Sequence, residues 1–155
     1  MPTLQYKSIG TRDVVPVLQQ VYTDWVTELG KLLVEAIKSP YLSRKQEEDF
    51  QPMAVDDENS EAAIKAILKQ LQKNAEHELL TVIVFDQFEE FFFVYKDAKQ
   101  RLIFYNFLRQ CLDVPHVRVI LSLREDYLYY LLECNNRLID FEVINKEYLY
   151  QECCY

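Results

Sequence analysis

The sequence predicts an α/β domain with a short parallel sheet of about three strands flanked by helices. Three observations carry that expectation. Thr81 to Phe85 (TVIVF) is an unbroken apolar run, β-branched and aromatic, of the kind buried on both faces inside a parallel sheet. Val117 to Leu123 (VRVILSL) has the same character further along. Stretches of helical spacing precede, separate and follow these runs, so strands alternate with helices.

The elements follow in order. Thr3 to Ile9 (TLQYKSI) alternates roughly and reads as a strand. Asp13 then Pro16 suits a helix start, with a capping oxygen followed by a residue of fixed φ that needs no N–H. Leu18, Val21, Tyr22, Trp25, Leu29, Leu32, Leu33 and Ala36 then recur at three- and four-residue steps, predicting a long amphipathic helix that ends before Pro40. Gly30 inside it costs about 1 kcal/mol relative to Ala. Residues 39–59 carry Pro40, Pro52 and a concentration of acids, and are expected to form an acidic surface loop. Ser60 reads as the cap of a second helix, with Ile64, Ile67, Leu68 and Leu71 on one stripe. After TVIVF, the stretch from Lys96 to Cys111 has helical spacing through Leu102, Tyr105 and Leu108, and Pro115 breaks it. Arg124 follows the last strand and leads into a helix expected over Glu125 to Glu133.

Length and composition bound the rest. At 155 residues the chain is about one domain, read as a single unit over 1–155. Half of it is apolar and 27% is charged, which excludes a disordered tail or a fibrous repeat. No apolar run reaches the ~20 residues a membrane span needs, and no apolar leader opens the chain. The net charge of −8 makes it a poor binder of phosphate backbones, so neither nucleic acid nor membrane is expected as a partner. Six acids between Gln46 and Ser60, with no Lys or Arg, supply most of that excess. Four cysteines, at 111, 134, 153 and 154, form no CxxC pair and read as reduced thiols of a cytoplasmic protein. His77 and His116 lack ligand spacing and read as solvated or capping residues. The two glycines, Gly10 and Gly30, cannot write either GxxxxGK[ST] or GxGxxG.

The chemistry concentrates in TVIVFDQFEEFF. The strand delivers Asp86 at its C-terminal end, the edge at which open parallel sheets bind ligands. A carboxylate there offers the hard oxygen that Mg²⁺ prefers, and Glu89 or Glu90 nearby could orient or deprotonate an attacking water. Arg124, at the end of the next strand, could stabilise charge developing on a terminal phosphate. A plainer alternative stands beside each. Acids at a helix start suit its dipole, and Arg124 with Glu125 and Asp126 could be a surface ion-pair cluster. The Phe91, Phe92, Phe93 and Tyr95 group reads as helix–sheet core, as does Trp25.

DQFEEFF followed by VRVILSLREDYL resembles the signal-transduction ATPases with numerous domains, the STAND class of P-loop NTPases, and most closely its novel STAND NTPase branch. The resemblance runs from about Thr3 to Leu149 and implies a partial P-loop NTPase-like three-layer fold. It implies a Walker B element in which Asp86 coordinates magnesium. Glu89 and Glu90 match the acidic pair beside the water, Glu89 being the better match to the second acid, and Arg124 matches the sensor 1 arginine. The early LQYKSIGTRD resembles the second core strand and its loop. Mg-ATP is the implied cofactor, and signal transduction the implied setting.

The departure from that family is the phosphate-binding loop with its strand and helix, which these residues do not contain. Without its N–H donors and Lys, a triphosphate would face three acids with Arg124 alone in compensation. The chain is therefore expected neither to bind nor to hydrolyse ATP by itself. The implied family strand order 5-1-4-3-2 leaves the second, third and fourth strands contiguous, with both crossovers on one face. One face and one edge of the sheet should then lie open to a protein partner or a second copy. The alternative function is a catalytically silent α/β interaction module. A HAD-type phosphatase using Asp86 as nucleophile is disfavoured, because Phe88 breaks the DxDx[TV] pattern.

Overall fold

Three strands lie side by side in chain order and all run parallel. The structure is a computed structural model that describes residues 13–38 and 60–135. Strands β1 (Val14–Gln19), β2 (Leu80–Phe85) and β3 (Val117–Leu121) form the sheet. Helices α1 (Trp25–Ile37) and α2 (Ser60–Glu76) connect the first pair, and α3 (Glu89–Val94) and α4 (Ala98–Asp113) the second. A 3₁₀ turn, Glu125–Tyr127, then leads into α5 (Leu128–Asn135). The α/β class, the parallel sheet and the flanking helices are as the sequence predicts. No described helix is long and apolar enough to cross a membrane. The strand expected at Thr3–Ile9, the acidic loop at 39–59 and Cys153 and Cys154 lie outside the described residues.

The segment after Asp13 departs from expectation. Val14 to Gln19 is a strand, and the helix begins only at Trp25, capped by Asp24, whose carboxylate accepts from the Thr27 N–H at 3.3 Å. Leu18, Val21 and Tyr22 therefore do not belong to the helical stripe. Periodicity misled because VVPVLQ also alternates, with Val15, Val17 and Gln19 buried and the residues between them less so. Pro16 is compatible with the strand because of where its missing donor falls. The Leu80 N–H bonds to Asp13 O and the Asp86 N–H to Gln19 O, so odd-numbered residues of β1 turn their peptide groups toward β2. Pro16 faces the outer edge, which no described strand pairs, so its missing donor costs no ladder bond among the described residues.

All four connecting helices sit on one face. Val15, Val17 and Gln19 align with Thr81, Ile83 and Phe85, which align with Val117, Val119 and Leu121. Asn74 of α2 donates to Thr81 Oγ1 at 3.2 Å, Phe104 of α4 lies edge-on to Phe85, and Trp25 of α1 lies edge-on to Phe104. The core is aromatic: Phe85, Phe88, Phe91, Phe104 and Phe107 are all fully buried. Phe93 is the exception to the expected core cluster, being 55% exposed beside Tyr127. Arg101 is also buried. Its guanidinium donates to Tyr95 O and Lys96 O and lies over the Tyr130 ring, fastening α4 to the turn before it and to α5.

The opposite face carries Val14, Pro16, Leu18, Leu80, Val82, Val84, Arg118 and Ile120, and no described helix packs on it. Val84 is buried, Leu80 and Val82 are half-buried, and Ile120 is 50% exposed. TVIVF is thus sealed on one face and only partly covered on the other. The remaining differences are at element ends: α4 is capped by Asp97 and runs to Asp113, and Arg124 leads first into a 3₁₀ turn.

Phe104 touches Trp25, Phe85, Phe88, Phe91 and Phe107. Phe104→Ala should therefore destabilise the fold by about 3–5 kcal/mol in urea titration, against less than about 0.5 for exposed Ile103→Ala on the same helix. Burial pushes the Cys111 thiol up from its ordinary range, so the thiolate is disfavoured. In a variant with the other three cysteines replaced by serine, Cys111 should resist an aromatic disulfide reagent until the protein is unfolded.

Candidate functional site

The C-terminal ends of the strands are stitched together by the backbone. The Asp86 N–H bonds to Gln19 O at 2.9 Å and the Ser122 N–H to Phe85 O at 2.9 Å. The Phe88 N–H then bonds to Ser122 O at 2.8 Å, past the end of the ladder. Because the strands are parallel, Gln20, Asp86 and Arg124 all emerge at this one rim. That is the edge at which open α/β sheets place ligands.

Asp86 is held from three directions. Gln20 Nε2 donates to Oδ2 at 3.0 Å and the Gln87 N–H donates to Oδ1 at 3.0 Å. The Tyr22 hydroxyl donates to the Asp86 carbonyl oxygen at 2.6 Å and also lies 3.3 Å from Gln19 O. Gln87 takes φ 49°, a left-handed conformation that a non-glycine residue adopts at a cost of about 1 kcal/mol or more. Glu89 and Glu90 open the first turn of α3, where the helix dipole favours them. Glu89 Oε2 is buried with no hydrogen-bond partner, whereas Glu90 is exposed. Burial first, and then the charges of Asp86, Glu90 and Glu89, push the Tyr22 hydroxyl up from its ordinary range. The three acids thus act on one buried hydroxyl, which stays protonated and able to donate.

Arg124 shares the rim but not those acids as ion-pair partners. Its guanidinium pairs with Asp126 at 2.6 Å and lies 5.8 Å from the Tyr127 ring centre. Both side chains of that pair are about two-thirds exposed (65% and 67%), where such a pair contributes ~0–1 kcal/mol. In this structure Arg124 makes the surface ion pair that the sequence left open as its alternative role.

Phe88 separates the two acidic positions of the motif. It is fully buried against Phe85, Phe91, Phe92 and Phe104. A phosphatase of the HAD type needs its second carboxylate there, and this position points into the core instead. Tyr22 and Gln20 are the rim residues that sequence reasoning missed. Both follow β1, where the sequence predicts a helix, and the end of a parallel strand is the signal that marks them.

Among the described residues no group of three or more His, Cys, Asp or Glu is arranged to hold a metal ion. The donors present still fit Mg²⁺ shared with a ligand. Asp86 offers a hard carboxylate, Glu89 Oε2 is an acceptor without a donor, and Mg²⁺ completes its shell with waters and phosphate oxygens. No glycine-rich phosphate loop occurs among these 155 residues.

A family model described as Novel STAND NTPase 1 matches residues 5–149. Neither the curated proteins nor the solved structures yield a match.

The left-handed turn gives a stability test. Gln87→Gly should leave stability unchanged or raise it by up to ~1 kcal/mol, while Gln87→Val, β-branched at positive φ, should lower it by about 1–2 kcal/mol in urea titration.

Proposed function

The chain belongs to the Novel STAND NTPase 1 family, and on that premise we propose that it carries the Walker B and sensor 1 regions of a signalling ATPase. The observation that carries this reading is the rim: a buried apolar strand ends in Asp86, with the end of the next parallel strand bonded beside it. Asp86 is the magnesium ligand, Glu89 the acid that orients or activates water, and Glu90 its exposed neighbour. A magnesium ion held by Asp86 would supply charge neutralisation on phosphate oxygens. Arg124 must leave Asp126 to act as a sensor, and so small an ion pair permits that. A free, buried Cys111 suits a cytoplasmic setting.

These 155 residues hold the acidic half of a nucleotide site without its phosphate cradle. The chain alone neither binds nor hydrolyses ATP. Like charges at short range oppose the triphosphate, and one arginine does not offset three acids. Calorimetric titration with Mg-ATP should give no saturable binding in the micromolar range, and a micromolar Kd refutes this part. Supplied with a strand, GxxxxGK[ST] loop and helix from another family member, the chain should gain Mg-dependent hydrolysis. In that assembly Asp86→Asn should weaken magnesium binding and abolish hydrolysis. Glu89→Gln should retain nucleotide binding and slow turnover by roughly 10²–10⁴-fold, the span of general-base contributions.

A second reading, a silent interaction module, is favoured by the sheet face that no described helix covers and by the edge of β3 that no described strand pairs. Half-exposed Ile120 and half-buried Val82 offer apolar area for a second copy or another protein. Size-exclusion chromatography with light scattering should show concentration-dependent association that Ile120→Lys weakens. A monodisperse monomer at all concentrations removes this reading.

A further inference from the structure

We propose that Tyr22 is a positioning residue whose hydroxyl fixes the Asp86–Gln87 peptide and, through it, the direction of the Asp86 carboxylate. The proposal rests on the reading of Asp86 as the metal-facing acid for its purpose, but not for its geometry.

The argument runs along one chain of bonds. Asp86 lies one residue past the end of β2, and its own N–H is still in the ladder to Gln19. Its carbonyl receives the Tyr22 hydroxyl at 2.6 Å. Tyr22 cannot easily be displaced: it is 2% exposed, and its ring sits edge-on to Phe88 and Phe91. A carbonyl held by a fixed hydroxyl fixes the plane of its peptide. The other end of that plane is the Gln87 N–H, which donates to Asp86 Oδ1. Gln87 must then accept φ 49°, which nothing about glutamine favours. The hydroxyl is therefore the restraint that keeps a strained turn in place, and the turn holds one carboxylate oxygen. Gln20 holds the other, so a cation meets a carboxylate already oriented.

The test is NMR on the full chain, with no nucleotide or metal present. Backbone couplings separate positive from negative φ at residue 87, and the Gln87 amide proton reports its bond to the carboxylate. Tyr22→Phe keeps the ring and removes the donor. It should move residue 87 to negative φ, shift the Gln87 amide upfield and speed its exchange roughly tenfold, as expected for loss of one hydrogen bond to a charged acceptor. Signals from Thr81 to Phe85 should hold. In Tyr22→Phe with Gln87→Gly, positive φ should return, because glycine needs no restraint to adopt it. The proposal is overturned if Tyr22→Phe leaves residue 87 at positive φ with its amide unchanged. It is equally overturned if strand β2 and the aromatic core shift along with the turn and Gln87→Gly restores nothing. Should Tyr22→Phe fail to fold, the unsubstituted chain still decides: the Tyr22 hydroxyl proton should exchange slowly enough with water to be observed, and its absence overturns the proposal. Failure here leaves Asp86 a candidate metal ligand, whereas failure of the magnesium test leaves the turn as described.

Discussion

The structure depends on the double anchorage of Phe88. Its ring is sealed among Phe85, Phe91, Phe92 and Phe104, while its N–H reaches across to Ser122 O beyond the end of β3. One residue thereby fixes both the depth of the loop after β2 and its lateral position. Asp86 precedes the anchor and Glu89 follows it, so the acids are held at the rim by a side chain that takes no part in chemistry. The burial of that ring, on the order of 2–3 kcal/mol, offsets the local strain at Gln87.

Much of this was legible in the sequence. TVIVF and VRVILSL are apolar enough to be read without ambiguity, and their shared direction follows from the helices between them. The place of Asp86 just past a strand's end was legible for the same reason, because it closes a run that contains no other acid. What was not legible lies before Trp25. VVPVLQQVY satisfies both periodicities over a short window, and a proline there suits a helix start as well as an edge strand. The decision depends on whether β2 offers a bonding partner, a tertiary fact. Misplacing that strand hid Gln20 and Tyr22, since each gains its meaning only from standing at a strand's end.

Arg124 illustrates a different limit. Its place at the rim follows from topology, which sequence can supply. Its partner does not, because Asp126 two residues on is nearer in the chain than the acids that follow β2. At about two-thirds exposure the competition is decided by small differences in solvation and rotamer freedom. The same exposure makes the pairing easy to exchange.

Pro16 makes the two borders of the sheet unequal. On the outer side of β1 the row of donors has a gap at its middle, so a strand arriving there would find its pairing interrupted. No such gap exists along β3, whose residues 117 to 121 each keep an N–H. Among the described residues the two margins therefore differ in what they offer a further strand: a donor row interrupted at Pro16 along β1, and an uninterrupted one along β3.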